Sequence, residues 1–191
     1  MVDLVNQKII LASKSPRRKE LLEGLGIKFE IRTKDTDESF PDSLRPEEVP
    51  GFLSEKKAKA FSGELGREEL IITSDTIVVL DKEILGKPSD HKEAILMLQK
   101  LSGKMHQVFT AVTLMDAHKM QTITDMTKVF FKDLSEEEIE NYVLHHQPFD
   151  KAGSYGIQEW IGYIAVEKIE GSYFTVMGLP VHLVYNSLKN W

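Results

Sequence analysis

The chain contains no cysteine. It can therefore build neither a disulfide nor a thiolate nucleophile nor a thiolate metal centre, which suits a reducing cytosol. It also has no apolar run approaching the roughly 18 residues needed to span a bilayer. Its first residues, M-V-D-L-V-N-Q-K, lack the basic start and apolar core of a signal peptide. The expectation is a soluble, cytoplasmic protein with no membrane partner. A basic excess is missing too. The formal net charge is −6, whereas affinity for a nucleic-acid backbone comes from Lys and Arg contacts that release counterions, so no nucleic-acid partner is expected. No internal repeat, low-complexity tract or linker divides the chain, and the P-loop pattern G-x-x-x-x-G-K-[ST] is absent. Any grip on phosphates must be assembled from separate elements.

What is present fits a single domain over residues 1–191. With 41% hydrophobic residues in 191, a chain of this size buries roughly 70% of its unfolded surface and needs no staples. Its organising stretch is residues 9–22, I-I-L-A-S-K-S-P-R-R-K-E-L-L. A short apolar run gives way to serines, a proline and two arginines, and then apolar periodicity begins, as when a buried strand hands over to a helix. Ser15 has the residue type of an N-cap, and Pro16 suits the first helical position because its missing N–H would have had no partner there. Arg17 and Arg18 then fall in the first turn, where the helix dipole disfavours cations by a few tenths to about 1 kcal/mol. Something should offset that cost. Free backbone N–H groups, hydroxyls and guanidinium forks together suit a polyanion such as a triphosphate; the alternative is a solvated basic turn.

The first helix should fade around Gly24 to Gly26, with a second strand over residues 29–33. In K-D-T-D-E-S-F-P-D, the carboxylates Asp35, Asp37, Glu38 and Asp42 repel one another unless they are solvated or partnered by a cation. A helix from residue 49 to about 61 starts at Pro50, with Phe52, Leu53 and Phe61 among its core positions and Lys56, Lys57 and Lys59 studding it. Those lysines form a solvated face, or one of them enters a site.

Residues 70–80, L-I-I-T-S-D-T-I-V-V-L, form the strongest strand signal, β-branched and almost continuously apolar like a central strand buried on both faces. Asp75 is its exception. A carboxylate buried there must be paired, protonated or metal-bound, because burying it alone costs many kcal/mol. The strand turns at Asp81-Lys82 and returns as a hairpin ending in Gly86-Lys87-Pro88. Glycine allows close backbone approach and proline fixes the exit, so Lys87 is aimed more definitely than a lysine on a helix face. A helix over residues 91–101, N-capped by Asp90 and stopped by Gly103, reads as structural. Two strands follow over residues 107–115 and 121–131, joined by D-A-H-K and suited to an antiparallel pair. Ser135 opens a helix with a capping box that runs to about His145. Adjacent His145 and His146 point about 100° apart on a helix and cannot serve one metal, so they read as surface residues. The small-residue segment D-K-A-G-S-Y-G-I-Q suits a loop passing close to a ligand. Its Gln158 carboxamide can both donate and accept, which matches the imide N–H and neighbouring carbonyl of uracil or thymine, although on the residues alone a surface glutamine is the plainer reading. A final strand pair and helix occupy residues 162–188, with a turn at Glu170-Gly171.

S-K-S-P-R-R on a strand-to-helix turn, followed in order by I-T-S-D-T-I-V, L-G-K-P and Y-G-I-Q, resembles the Maf family of nucleoside triphosphate pyrophosphatases from Ile9 to about Pro180. The resemblance implies an α/β fold with a mixed, twisted central sheet flanked by helices and two lobes around a cleft, similar to inosine triphosphate pyrophosphatases. The alternation of strands, helices and hairpins points to the same class. It further implies metal-dependent hydrolysis of a nucleoside triphosphate to the monophosphate and pyrophosphate. Within the acidic loop it selects Glu38, and among the helix lysines it selects Lys57. Glu38 and Asp75 are then the ligands for Mg²⁺ or Mn²⁺, and Asp75 also handles the attacking water. Arg17, Arg18, Lys57 and Lys87 clamp phosphates with help from Ser13. A glutamine after Y-G-I marks the branch acting on dTTP and UTP, which here is Gln158. Four residues depart from the family pattern: Ser54 and Ser74 where other small residues are usual, and Glu159-Trp160 where a glycine is common. The competing reading is a nucleotide-sensing regulatory module, of the kind tied to division arrest, that binds without cleaving. A homodimer is left open.

Overall fold

A computed structural model describes residues 7–191. The opening residues 1–6, read above as carrying no signal peptide, lie outside them. Strand β1 (Lys8–Leu11) runs through the Ser13–Ser15 turn into helix α1 (Pro16–Gly24). Ser15 caps that helix from an extended conformation, its Oγ accepting from the Arg18 N–H at 3.5 Å, and Pro16 opens it as expected. Strand β2 (Phe29–Ile31), helix α2 (Val49–Lys59), and the long strand β3 (Glu69–Leu80) follow. Then come β4 (Glu83–Leu85), α3 (His91–Leu101), β5 (Met105–Met115), β6 (Met120–Phe131) and α4 (Glu136–His146). The chain closes with α5 (Trp160–Ala165), β7 (Val166–Glu170), α6 (Tyr173–Met177) and α7 (Val181–Lys189).

Among the described residues seven strands form one sheet in the order β2-β1-β3-β5-β6-β7, with β4 paired to β3. Strand β1 is parallel to both β2 and β3, while β3–β4 and β6–β7 are antiparallel, so the sheet is mixed as expected for this α/β class. The β3–β4 turn places Asp81 at φ 49° and Lys82 at φ 75°. Two left-handed residues in succession are what a tight hairpin needs to match strand twist. In β3 every residue except Glu69 and Thr76 is buried, which explains the nearly unbroken apolar run.

The chain divides into two compact units. The first takes residues up to Asp75, Thr110–Asp125 and Gly178–Trp191, and its core packs Ile10 and Ile71 with Ala58, Phe61 and Met115. The second takes Thr76–Phe109 and Met126–Met177. Its core sets Ala94, Leu98 and Leu101 of α3 against Ile139, Tyr142 and Val143 of α4, with Val78, Leu85, Val108 and Phe131 from the strands. The capping box at Ser135 and Glu138 is present, as is the Asp90 cap of α3. Among the described residues no helix is long and apolar enough to cross a membrane.

Two expectations require correction. Phe52 is 38% exposed, because the buried stripe of α2 runs through Val49, Leu53 and Ala58 and position 52 falls beside it. The expected final strand pair is one strand, β7, followed by the short helix α6. Gly171 has φ 129°, and a Cβ there would lie 2.5 Å from Thr127 Oγ1. That hydroxyl accepts from the Ser172 N–H at 2.9 Å and donates to its carbonyl at 3.0 Å, which ends the strand and turns the chain.

In the first unit, Asp116 gathers the β5–β6 turn and the last residue. Its carboxylate accepts from the N–H groups of His118 at 2.7 Å and Lys119 at 2.8 Å, from Trp191 Nε1 at 2.8 Å and from Gln7 Nε2 at 3.3 Å. Burial opposes ionisation, but these bonds together outweigh it and hold the carboxyl at about 2. A depressed carboxylate pKa stabilises the fold above its unfolded value and loses that contribution as pH falls through the folded one. Asp116→Ala should therefore destabilise by about 1–2 kcal/mol at neutral pH in urea titrations. The gap from wild type should close between pH 4 and about 2; a gap that ignores pH would remove the carboxylate from this account.

Candidate active site

The β1–α1 junction is tied down by its own side chains. Ser13 is buried, and its Oγ accepts from the Ser15 N–H at 3.1 Å. Arg18, half-buried in the first turn, donates from Nη1 to the Ser74 carbonyl at 2.8 Å and from Nε to the Gly178 carbonyl at 2.8 Å. Two carbonyls thus receive the cation that the helix dipole disfavours. Burial lowers the Arg18 pKa, Asp75 and Glu38 push it up, and neighbouring Arg17 pulls it down, so both arginines share one electrostatic field with both carboxylates. Ser74 departs from the family pattern with a purpose visible here, since its hydroxyl donates to the Gly178 carbonyl at 3.0 Å. Ser54 is similarly engaged, in a buried hydroxyl chain with Thr113 and Thr122, and its carbonyl accepts from Thr73 at 2.7 Å.

Asp75, 8% exposed in its apolar strand, meets the ammonium of Lys57, with Oδ1 at 2.5 Å from Nζ. The same ammonium lies 2.9 Å from Glu38 Oε1. Helix α2 turns its apolar stripe inward through Leu53 and Ala58, and Lys57, next to Ala58, projects from the edge of that stripe. Three residues selected from different parts of the sequence thus converge on one point. Two carboxylates around one cationic centre are hard oxygen donors of the kind Mg²⁺ and Mn²⁺ accept. Among the described residues no three such side chains form a ready-made metal cage.

The acidic loop is partnered by cations. Lys14 takes Asp35 at 2.6 Å, Lys56 takes Asp37 at 2.9 Å and Lys57 takes Glu38 at 2.9 Å. Lys56 also donates to the Ser39 carbonyl at 3.0 Å, so it grips the loop on both sides of Glu38. Hydrogen bonds from Ser39, then Lys56, hold the Asp37 carboxyl at about 2. Lys56 escaped the sequence reading because a lysine beside Lys57 on a helix looks solvated; four acids upstream were its only signal.

Lys87 and Gln158 belong to the second unit. Lys87 is exposed after β4, and the carbonyl of Gly86 before it accepts from the Gly153 N–H at 3.0 Å. Gly153 has φ 68°, and a Cβ there would lie 2.9 Å from Val78, so only glycine fits. Gln158 is half-buried, and its buried Oε1 has no hydrogen-bond partner among the described residues. A buried acceptor left open costs about 1–3 kcal/mol unless a ligand donor fills it. Beside it lies a network that sequence reasoning missed. Lys151, 8% exposed, meets Asp150 at 2.7 Å and Glu159 at 3.1 Å, and the other oxygen of Glu159 accepts from the Tyr142 hydroxyl.

The fold is shared with a solved structure of the Staphylococcus aureus Ham1 protein, at a TM-score of 0.54 over 96% of this chain and 99% of that one, with 12% identity. It is therefore an α/β fold of the Ham1 kind. Residues 8–191 match the family described as Maf-like protein, and the chain belongs to that family. A relative named dTTP/UTP pyrophosphatase from Bacteroides fragilis is 52% identical over 190 residues, covering 99% of this chain and 98% of its own. Another of that name, from Phocaeicola vulgatus, is 53% identical over 188 residues, covering 98% and 97%.

The grip of Lys56 on the loop is testable without reference to activity. Lys56→Met should speed cleavage of residues 35–42 by a protease specific for acidic residues severalfold. Its effect on global stability should stay below about 1 kcal/mol, because exposed ion pairs contribute little. Unchanged cleavage would mean that the loop holds itself.

Proposed function

We propose that this protein hydrolyses dTTP and UTP to the nucleoside monophosphate and pyrophosphate. The observation that carries the reading is Asp75, a carboxylate buried in an apolar strand and sharing the Lys57 ammonium with Glu38. Burying such a group is costly, and buried acids held by a specific cation in this way collect at active sites. The names of the relatives support the substrate.

In this reading water attacks the α-phosphorus and gives its proton to Asp75. A new P–O bond forms as the bond to the β-phosphate oxygen breaks, and pyrophosphate leaves with that electron pair. Such chemistry is mostly positioning and charge neutralisation. Arg17, Lys57 and Lys87 stabilise the charge growing on the leaving group. Arg18 adds its field while holding the Ser74 carbonyl, and so the strand just before Asp75, in place. Ser13 shapes the turn whose N–H groups face the phosphates. Gln158 accepts the imide N–H of uracil or thymine at its open Oε1 and donates to the adjacent carbonyl. Cytosine carries an acceptor at that ring nitrogen, so a carboxamide held in this one orientation leaves Oε1 unpaired against it.

Glu38 and Asp75 would hold Mg²⁺ or Mn²⁺, which when bound neutralises phosphate oxygens. Magnesium keeps water and phosphate ligands beside one or two carboxylates, so a two-carboxylate set suffices. Lys57 stands at the centre those carboxylates share, and it yields that place by turning to the triphosphate.

Pyrophosphate release from a nucleotide panel, with and without Mg²⁺ or Mn²⁺, tests the reaction. Metal-dependent release favouring dTTP and UTP is expected, with Asp75→Asn lowering kcat by roughly 10²-fold. Binding without release from any nucleotide would favour a regulatory module instead. Independently of turnover, Lys57→Met should tighten Mn²⁺ binding severalfold in a nucleotide-free titration. Unchanged Mn²⁺ affinity would show that Lys57 and the metal do not share a place.

A further inference from the structure

Gln158 sits inside a tight turn. The Glu159 N–H donates to the Gly156 carbonyl at 2.9 Å, which makes Ile157 and Gln158 its two central residues. The side chain of Glu159 closes the same turn a second time. One carboxylate oxygen accepts from the Tyr142 hydroxyl, which itself accepts from the Gly156 N–H at 3.1 Å, so Glu159 reaches the start of the turn through one hydroxyl. Its other oxygen takes the buried Lys151 ammonium at 3.1 Å.

Sterics leave little freedom around this arrangement. A Cβ on Gly156 would lie 2.8 Å from the Glu159 carboxyl carbon, and one on Gly162 would lie 1.8 Å from the Ile157 carbonyl oxygen. The carboxylate therefore packs directly on Gly156, and α5 packs directly on the turn. Burial, then the adjacent Glu159, push the Tyr142 phenol above its usual range, so it stays a donor at neutral pH. Ile157 is buried in the core of the second unit. Of the turn's two central residues, Gln158 is the one whose side chain carries an open acceptor.

We propose that Glu159, held by Lys151 and Tyr142, is a positioning residue for base recognition: it clamps the Gly156–Glu159 turn and so sets the direction of the Gln158 carboxamide. The proposal rests on the reading of Gln158 as the contact to uracil or thymine. Hydrogen-bond readout of a base tolerates little misalignment, and a site built to bond a substrate group discriminates strongly only while that geometry holds. Loosening the clamp should therefore cost discrimination between bases, whereas the chemistry at Asp75 proceeds.

The test compares UTP with CTP in steady state for Glu159→Gln, Tyr142→Phe and Gln158→Ala, each verified as folded by circular dichroism and thermal melting. Glu159→Gln neutralises the carboxylate facing Lys151, and Tyr142→Phe removes the relay while keeping the ring. Both should raise KM for UTP by about 10-fold, with kcat within about 2-fold and KM for CTP unchanged, so that the UTP preference collapses towards that of Gln158→Ala. If Glu159→Gln does not fold, Tyr142→Phe decides alone. A preference lost in Gln158→Ala but kept in the folded clamp variants overturns the positioning role and leaves the base contact standing. Equal losses for UTP and CTP, carried by kcat, also overturn it by showing general support of the fold. A preference that survives Gln158→Ala overturns the base contact and this inference with it.

Discussion

A carboxylate in the middle of a strand buried along nearly all its length is the constraint on which the first unit depends. Asp75 cannot be left alone among Ile72, Ile77 and their neighbours, since an isolated buried charge costs more than the whole net stability of a typical domain. A cation must be delivered to it, and α2 delivers Lys57. The helix can do so because its inward stripe is fixed by Val49, Leu53 and Ala58, which leaves the neighbouring position 57 pointing along the edge of the apolar contact. Glu38 then makes the cation's second contact, and the acidic loop that carries Glu38 is in turn pinned by Lys14 and Lys56.

The backbone around Asp75 is held by a second set of ties that span long stretches of chain. The Gly178 carbonyl accepts from both Arg18 and Ser74, and the Ser74 carbonyl accepts from Arg18. Gly178 takes φ 103°, a conformation few other residues tolerate, so the carbonyl is aimed where two donors meet. Arg18 thereby converts an unfavourable place at a helix start into the brace of the strand that carries Asp75. A guanidinium suits this task better than an ammonium, because its planar fork serves two carbonyls at once.

Elements whose signals are local were legible in the sequence. Helix α3 occupies the expected residues because Asp90 caps it and Gly103 lies just beyond its end, and the Asp81-Lys82 hairpin follows from two strands joined by two residues. Asp75 was legible from the apolar run around it as a carboxylate needing a partner, a proton or a metal. Its partner was not, because Lys57 lies on another element and only tertiary packing chooses it over Lys56 and Lys59; the family resemblance supplied the choice. Helix α6 was illegible because Y-F-T-V-M has strand-like composition, and the reciprocal bonds between Thr127 and Ser172 that turn the chain there are long-range. The departures at Ser54 and Ser74 looked like neutral swaps of small residues, yet each adds a hydroxyl that finds a buried partner.

Glu159 makes the same point with more at stake. Where a glycine is common in the family, a carboxylate next to Gln158 looks like a disturbance. Yet a carboxylate here cannot be placed singly: it needs Lys151 to balance its charge, Tyr142 to donate to it, and glycine at 156 to make room. Lys151 is itself buried, so removing Glu159 would leave Asp150 as the carboxylate beside it. The four residues therefore work as one set, and a substitution within it is judged by what it does to the others. Their shared consequence is a turn closed twice, once by backbone and once by side chains, around a glutamine whose acceptor has no partner among the described residues. In the proposed reading of Gln158, preorganisation of that kind would let one carboxamide tell one base from another, because the ordering is done before the base arrives.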